Sequence, residues 1–233
     1  MLCSFKGFST CIAIYIGDDG NIYIAADSKR TFFFSDNNGI NNFESVCKIH
    51  HVGTNYFAVS GIDDGSLLKA ANRALQQNTN IDTAIKSFGT AMVKRYRYLM
   101  AGTKLYYPDK LKNFLNNGLA QVSFFGFYNG LPRVVDVEFL CHLDKSGKVV
   151  PTYRLRPIFA LTVIGISTDI KNAQPGDFPE KAAMQQNPSL YVEALVKIEA
   201  KKQPQAVGAP IDLMELCPDG AVWIRKNEDA VSY

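Results

Sequence analysis

Apolar and polar residues alternate with a period of two over several short segments, which is the pattern of strands with one buried face. Ile12, Ile14 and Ile16 alternate before a Gly-Asp-Asp-Gly turn at 17–20, and the apolar positions resume at 22–26. This first segment is therefore predicted to be a hairpin. Further strands are predicted at 46–52, 56–60, 122–128, 133–140, 148–155, 161–164, 211–216 and 221–225.

Three other segments carry apolar residues at spacings of three and four, which predicts helices near 64–77, 82–100 and 189–202. The stretch from Asp63 to Ser66, Asp-Asp-Gly-Ser, supplies N-cap chemistry for the first of them. The Asn-rich stretch 35–42 is predicted to be an exposed loop. Strand pairs, two helices, strand pairs, a helix and a last hairpin form an α+β order, so mostly antiparallel sheets are expected.

Composition narrows the class of protein and its partners. The 233 residues are 47% hydrophobic and 20% charged, as in a single globular domain, and the net charge of +3 comes without a basic stripe for nucleic acid. No apolar stretch approaches the ~20 residues of a membrane span, so a membrane partner is not expected. The five cysteines lack close spacing, which predicts neither disulfides nor a zinc site and favours a reducing compartment, the cytoplasm.

Five strings in order resemble proteasome β-type subunits and their bacterial relatives, which are N-terminal-nucleophile hydrolases. They are the hairpin at 9–30 with its Ala-Ala-Asp-Ser ending, Val-Cys-Lys-Ile at 46–49, Phe-Ala-Val-Ser-Gly at 57–61, the hairpin at 123–135 and Val-Gly-Ala-Pro-Ile-Asp-Leu at 207–213. The resemblance spans residues 9 to about 226. It implies a four-layer αββα sandwich, two antiparallel sheets flanked by helices, formed by a single domain over 10–233. Residues 1–9 would be a propeptide or, in an exported protein, the remnant of a signal.

The chemistry of that family explains the residue types. A Thr hydroxyl is a weak nucleophile, and an α-amine that titrates at about 7.7–8.0 can serve as its base when the Thr is N-terminal. The resemblance assigns the supporting carboxylate and ammonium to Asp27 and Lys48, and an oxyanion-binding backbone N–H to Gly61. Ser167 matches, loosely, a further supporting hydroxyl. No cofactor or metal is implied, and the adjacent His50 and His51 would point to opposite faces of a strand.

The identity of the nucleophile stays open among three neighbours. Thr10 lies 17 positions before Asp27, one more than is usual in the family, and the turn at 17–20 can absorb the insertion. Thr10 is the preferred candidate. An ungapped alignment selects Cys11 instead, and the apolar pattern of the first strand selects Ser9.

Two departures favour a rival interpretation. Where the family has an Asp and a Ser that support the amine, this chain has Pro204 and Val207, and Ser9 replaces the usual Gly before the nucleophile. The expected function is a threonine-type hydrolase of peptides or other amides. The alternatives are a catalytically silent, proteasome-like structural subunit and a Cys11-dependent acylase of the same fold. A homo-oligomer is expected.

Overall fold

The computed structural model of the protein describes residues 6–8, 10–32, 43–63, 65–78, 80–172 and 185–227. The helices are α1 (Ser66–Gln77), α2 (Ile81–Tyr106), α3 (Pro108–Asn117), α4 (Thr168–Asn172) and α5 (Pro188–Lys202). The strands are β1 (Lys6–Phe8), β2 (Cys11–Ile16), β3 (Ile22–Asp27), β4 (Lys29–Phe32), β5 (Phe43–Ser45), β6 (Ile49–Val52), β7 (Asn55–Asp63), β8 (Ala120–Tyr128), β9 (Leu131–Leu143), β10 (Val149–Ile158), β11 (Leu161–Gly165), β12 (Ile211–Cys217) and β13 (Gly220–Arg225). None of the described helices is long and apolar enough to cross a membrane. The loop predicted at 35–42 lies outside the described residues.

The strands form two antiparallel sheets, as the sequence predicted. The large sheet has the order β10-β9-β8-β7-β1-β4-β5, and β6 also pairs with β7. The small sheet has the order β11-β2-β3-β12-β13. Its centre is the predicted first hairpin, in which Ile14 lies opposite Ile24.

Three apolar clusters show how the elements stack. Alternation along β2 and β3 sends isoleucines to one face of the small sheet, where they meet the large sheet. That cluster includes Ile12, Ile14, Ile22, Ile24, Ala58, Phe125 and Val134. The other face of the small sheet packs against α5, and the outer face of the large sheet packs against α1, α2 and α3. The two sheets therefore lie face to face, with helices outside each.

Several element boundaries differ from the sequence predictions. The N-cap of the first helix is Gly65, within the predicted stretch, in a left-handed conformation and without a side-chain hydrogen bond. The second helix runs six residues past the predicted end at 100, and α3 follows it directly with Pro108 in its first turn. The strand predicted from Val46 begins only at Ile49.

The chain segments that carry the candidate residues lie together at one end of the small sheet. The Ser28 N–H donates to the Pro210 carbonyl, and the Ser28 carbonyl accepts from the Val46 N–H. The Ile166 N–H donates to the Thr10 carbonyl at 2.7 Å. The start of β2, the end of β3 and the segments before β6 and β12 thus meet at this end.

Candidate functional site

A buried ion pair lies at the end of β3. Lys48 Nζ is 2.8 Å from Asp27 Oδ1, and the two side chains are 1% and 0% exposed. The same carboxylate oxygen accepts the Cys11 N–H at 2.8 Å, and Oδ2 accepts the Gly208 N–H at 3.3 Å. The carboxylate of Asp27 therefore joins the lysine, the first strand of the hairpin and the loop before β12.

Further hydrogen bonds hold both members of the Asp27–Lys48 ion pair in place. Lys48 Nζ also donates to the Lys29 carbonyl at 2.6 Å, which fixes the ammonium between β3 and β4. Complete burial raises the pKa of the Asp27 carboxyl, while the Lys48 ammonium and the two amide donors oppose that rise. Lys48 is thus an interior residue and not a solvated strand residue.

Thr10 lies immediately before β2 and is completely buried. Its hydroxyl oxygen has no hydrogen-bond partner among the described residues. The peptide unit that follows it supplies the Cys11 N–H to Asp27, and its own carbonyl accepts from Ile166. Both ends of the Thr10–Cys11 peptide group are therefore fixed, and a buried hydroxyl without a described partner stands beside them.

Cys11 occupies a different environment. Its side chain belongs to the apolar cluster beneath α5, with Ala13, Val192 and Val196. Burial, with the nearby charges of Asp27 and Glu199, raises the pKa of the Cys11 thiol well above its usual value. A thiol in such surroundings stays protonated and behaves as a core residue.

Gly61 lies in β7 at a φ of 113°, opposite Phe8 of β1 and Ala120 of β8. A Cβ at this position would stand 2.5 Å from the Ala120 Cα and 2.6 Å from the Leu119 carbonyl oxygen. The close approach of β8 therefore already requires glycine here. Its backbone borders β1, the short strand that precedes Thr10 in the chain.

Gly165 supports Thr10 from the end of β11. A Cβ on Gly165 would lie 2.0 Å from the Thr10 carbonyl oxygen and 2.6 Å from Ser60 Oγ. The Gly165 N–H donates to Gln121 Oε1 at 2.9 Å, which ties this strand end to the large sheet. Sequence reasoning missed the contributions of Ser60 and Gln121, because they depend on the packing of one sheet on the other.

The remaining candidates have separate positions. Ser167 is buried just before α4, and no hydrogen bond joins its hydroxyl to Asp27 or Lys48 within the described parts of the chain. The Pro204 carbonyl accepts from Lys29 Nζ, and Val207 is buried beneath α5. Ser9, the third candidate nucleophile, lies outside the described residues.

The arrangement combines a hydroxyl, an ammonium and a carboxylate, all buried, at the start of a strand. Among the described residues no group of three or more His, Cys, Asp or Glu side chains could hold a metal ion. His50 and His51 instead contact the rings of Phe57 and Tyr56. No family model and no curated protein matches this chain.

Proposed function

We propose that this chain is a proteasome-like N-terminal-nucleophile hydrolase of peptides or other amides, with Thr10 as nucleophile once the preceding residues are removed. The observation that carries the proposal is the buried Thr10 hydroxyl, without a described partner, on a peptide unit that the buried Asp27–Lys48 pair holds. A core Thr with no chemistry would bury a hydroxyl at a cost for no gain.

The reaction follows from these groups. The Thr10 hydroxyl oxygen attacks the carbonyl carbon of the amide, and its proton passes to the freed α-amine and then to the leaving nitrogen. An ester on Thr10 forms as the C–N bond breaks. Water then hydrolyses the ester, which releases the acid and restores the hydroxyl. The Lys48 ammonium favours the neutral, basic form of the amine, and Asp27 fixes the ammonium.

The position of β1 supports an extended peptide as substrate. β1 pairs with β7 on one side and with β4 on the other, with Gly7 opposite both Ile62 and Thr31. Removing the chain before Thr10 would leave a slot between two strand edges beside Gly61. Such a slot binds an extended chain through main-chain hydrogen bonds.

The surroundings of the two neighbours favour Thr10 over Cys11 as nucleophile. Alternation along β2 places Thr10 on the same face as Ile12, between the sheets, and Cys11 on the face covered by α5. The raised pKa of the Cys11 thiol also disfavours the thiolate that acyl transfer would need. A Cys11-dependent acylase is therefore the weaker proposal.

A second proposal, the silent structural subunit, is favoured by the loop before β12. Pro204 and Val207 offer no side-chain hydrogen bond to an amine, and Val207 is part of the core beneath α5. The exposed Tyr98, Leu105 and Tyr106 of α2 would suit contacts between copies in a homo-oligomer.

The N-terminus tests both proposals. Intact-mass spectrometry of the purified chain should show removal of residues 1–9, and a ubiquitin fusion cleaved before Thr10 should supply the same form. That form should hydrolyse fluorogenic peptide amides. We expect Thr10→Ala to lower kcat by about 10³-fold or more and Thr10→Ser to retain activity, because the hydroxyl and the amine both survive.

The remaining outcomes separate the alternatives. Activity that survives in Thr10→Ala and disappears in Cys11→Ala would transfer the nucleophile to Cys11. A stable oligomer by light scattering, with no activity in the form beginning at Thr10, would establish the silent subunit.

A further inference from the structure

A buried glutamate lies on the face of α5 that packs on the small sheet. Val192, Leu195 and Val196 of this helix pack on the small sheet beside Cys11 and Ala13. Glu199 follows Leu195 and Val196 by four and three positions, so it continues the same stripe by one helical turn. It is 0% exposed. An acidic side chain thus follows the apolar stripe that packs beside Cys11 and Ala13.

Only one of the two carboxyl oxygens of Glu199 has a hydrogen bond of good geometry among the described residues. Oε1 accepts the Ile170 N–H at 2.9 Å, while Oε2 is buried without a hydrogen-bond partner among the described residues. The titratable groups that face it are Asp169 of α4 and the Cys11 thiol of β2. Burial and Asp169 raise the pKa of Glu199. Asp169 itself accepts from the Gln203 side chain at 2.9 Å.

One short segment connects this carboxyl group to Thr10. The Ile166 N–H donates to the Thr10 carbonyl, and four residues later the Ile170 N–H donates to Glu199. The negative charge of Glu199 also contributes to the raised pKa of the thiol of Cys11, the residue that directly follows Thr10. A buried carboxyl oxygen with no partner is costly unless a donor or a cation joins it. No described residue gives Oε2 a hydrogen bond or a cation, although the backbone N–H and the carboxyl group of Asp169 lie against the Glu199 carboxyl group.

We propose that Glu199 is a positioning residue whose free carboxylate oxygen accepts the α-amine of Thr10 after the preceding residues are removed. The inference rests on the proposed function, which creates that amine. Glu199 would take the place of the amine-supporting side chains that Pro204 and Val207 do not provide. When the amine holds the proton taken from the Thr10 hydroxyl, the carboxylate balances the new positive charge.

The test compares Glu199→Gln in the full-length chain and in the form that begins at Thr10. Gln keeps an acceptor for the Ile170 N–H and removes the charge. In the full-length chain no described cation pairs with Oε2, so we expect Glu199→Gln to raise the unfolding temperature at pH 8 by about 2–4 °C. This increase in unfolding temperature should be smaller near pH 4, where the carboxyl group of Glu199 is protonated.

In the form that begins at Thr10, Glu199→Gln should instead lower the unfolding temperature, because the substitution removes the ion pair between Glu199 and the α-amine. Titration of the ¹⁵N-labelled α-amine by NMR should give a pKa lower by about one unit in Glu199→Gln, since an opposite charge favours the ammonium. Where the form is active, kcat should fall about 10-fold with KM unchanged.

Glu193→Gln is the matched control. Glu193 is also a buried glutamate of α5, but it is paired with Lys197 and Arg225. Its substitution should lower stability equally in both forms and leave the amine pKa unchanged. Equal effects of Glu199→Gln on the two forms, with an unshifted amine, would overturn the inference. Because the amine titration needs no turnover, an inactive protein with a shifted amine would refute the proposed hydrolase and keep the role of Glu199.

Discussion

Asp27 is the residue on which the polar contacts of the site converge. Its two carboxylate oxygens accept from Lys48, from the Cys11 N–H and from the Gly208 N–H. A buried carboxylate is stable only with such a set of donors. Asp27 therefore serves folding and the proposed chemistry with the same atoms, and a variant of Lys48 has to be interpreted on both counts.

Lys48→Met should destabilise the protein by about 3–5 kcal/mol, because it leaves the buried Asp27 carboxylate without its cation. The folded-state pKa of Asp27 is already raised, so its contribution to stability is complete below its ordinary pKa and is lost as pH rises. Losing Lys48 raises that pKa further. Urea denaturation should therefore show a larger loss at pH 8 than at pH 5.

The double variant Asp27→Asn, Lys48→Met is the control for this prediction. With both charges removed, most of the pH dependence should disappear, and a double-mutant cycle gives the coupling between the two side chains. A Lys48→Met variant with the same stability at both pH values would contradict the predicted role of the Asp27 charge.

Gly165 is a second residue whose environment permits few substitutions. Gly165→Ala would place a Cβ 2.0 Å from the Thr10 carbonyl oxygen, at a φ of +87°. Both the clash and the left-handed backbone should destabilise the variant, by about 2–4 kcal/mol together. Gly130→Ala is the matched control, because Gly130 has a φ of +76° with open space around its Cα, and about 1–2 kcal/mol is expected. If urea denaturation gave equal losses of unfolding free energy for the two variants, the Thr10 carbonyl could move away from the added methyl group at little cost.

At the scale of elements, strong local patterns were enough to predict most strands and helices. The alternating isoleucines placed β2 and β3, and the apolar spacing placed α1, α2 and α5 to within a few residues at most ends. The strands β1, β4 and β5 were not predicted, because three or four residues carry little periodic signal and owe their conformation to pairing.

The site was predictable to the same limited extent. The family resemblance singles out Asp27 and Lys48, and the structure places the two side chains in contact, while their catalytic role stays a prediction. No sequence pattern distinguishes Glu199 from other helix residues, since only the packing of α5 on the small sheet buries it. Ser60 and Gln121 likewise approach Gly165 only because the two sheets face each other.

The pairing of β1 gives a prediction about this short element. In the form that begins at Thr10, a synthetic peptide with the sequence of residues 5–9 should bind where β1 lies, between β4 and β7. Isothermal titration calorimetry should detect this binding. Methylation of the peptide nitrogen that corresponds to Gly7 should weaken binding about 10-fold, because one backbone donor is lost. Equal binding of both peptides would show that the slot does not use main-chain pairing.

At the scale of the whole molecule, a polar cluster joins the two sheets away from Thr10. Asp136 of β9 is buried and accepts the hydroxyls of Ser123 and Thr162, which belong to the large and the small sheet. Arg156 of β10 completes the cluster with an ion pair of 2.8 Å. Apolar contact between sheets is not directional, whereas these hydrogen bonds fix how far one sheet can slide over the other.

Asp136→Ala should therefore loosen the contact between the sheets, and not only one strand. It leaves two buried hydroxyls and Arg156 without their acceptor, so the free energy of unfolding should fall by about 3–5 kcal/mol. Glu138→Ala is the matched control, since Glu138 lies two residues further along β9 and its partner, Arg154, is largely exposed. That pair should contribute less than about 1 kcal/mol.

Hydrogen exchange should show faster exchange in β11 for Asp136→Ala alone, while β12 keeps its protection, because β12 is held by β3 and β13. An equal loss of stability in both variants would show that the contacts of Asp136 contribute no more than an exposed ion pair. The apolar cluster alone would then align the two sheets and bring Gln121 to Gly165.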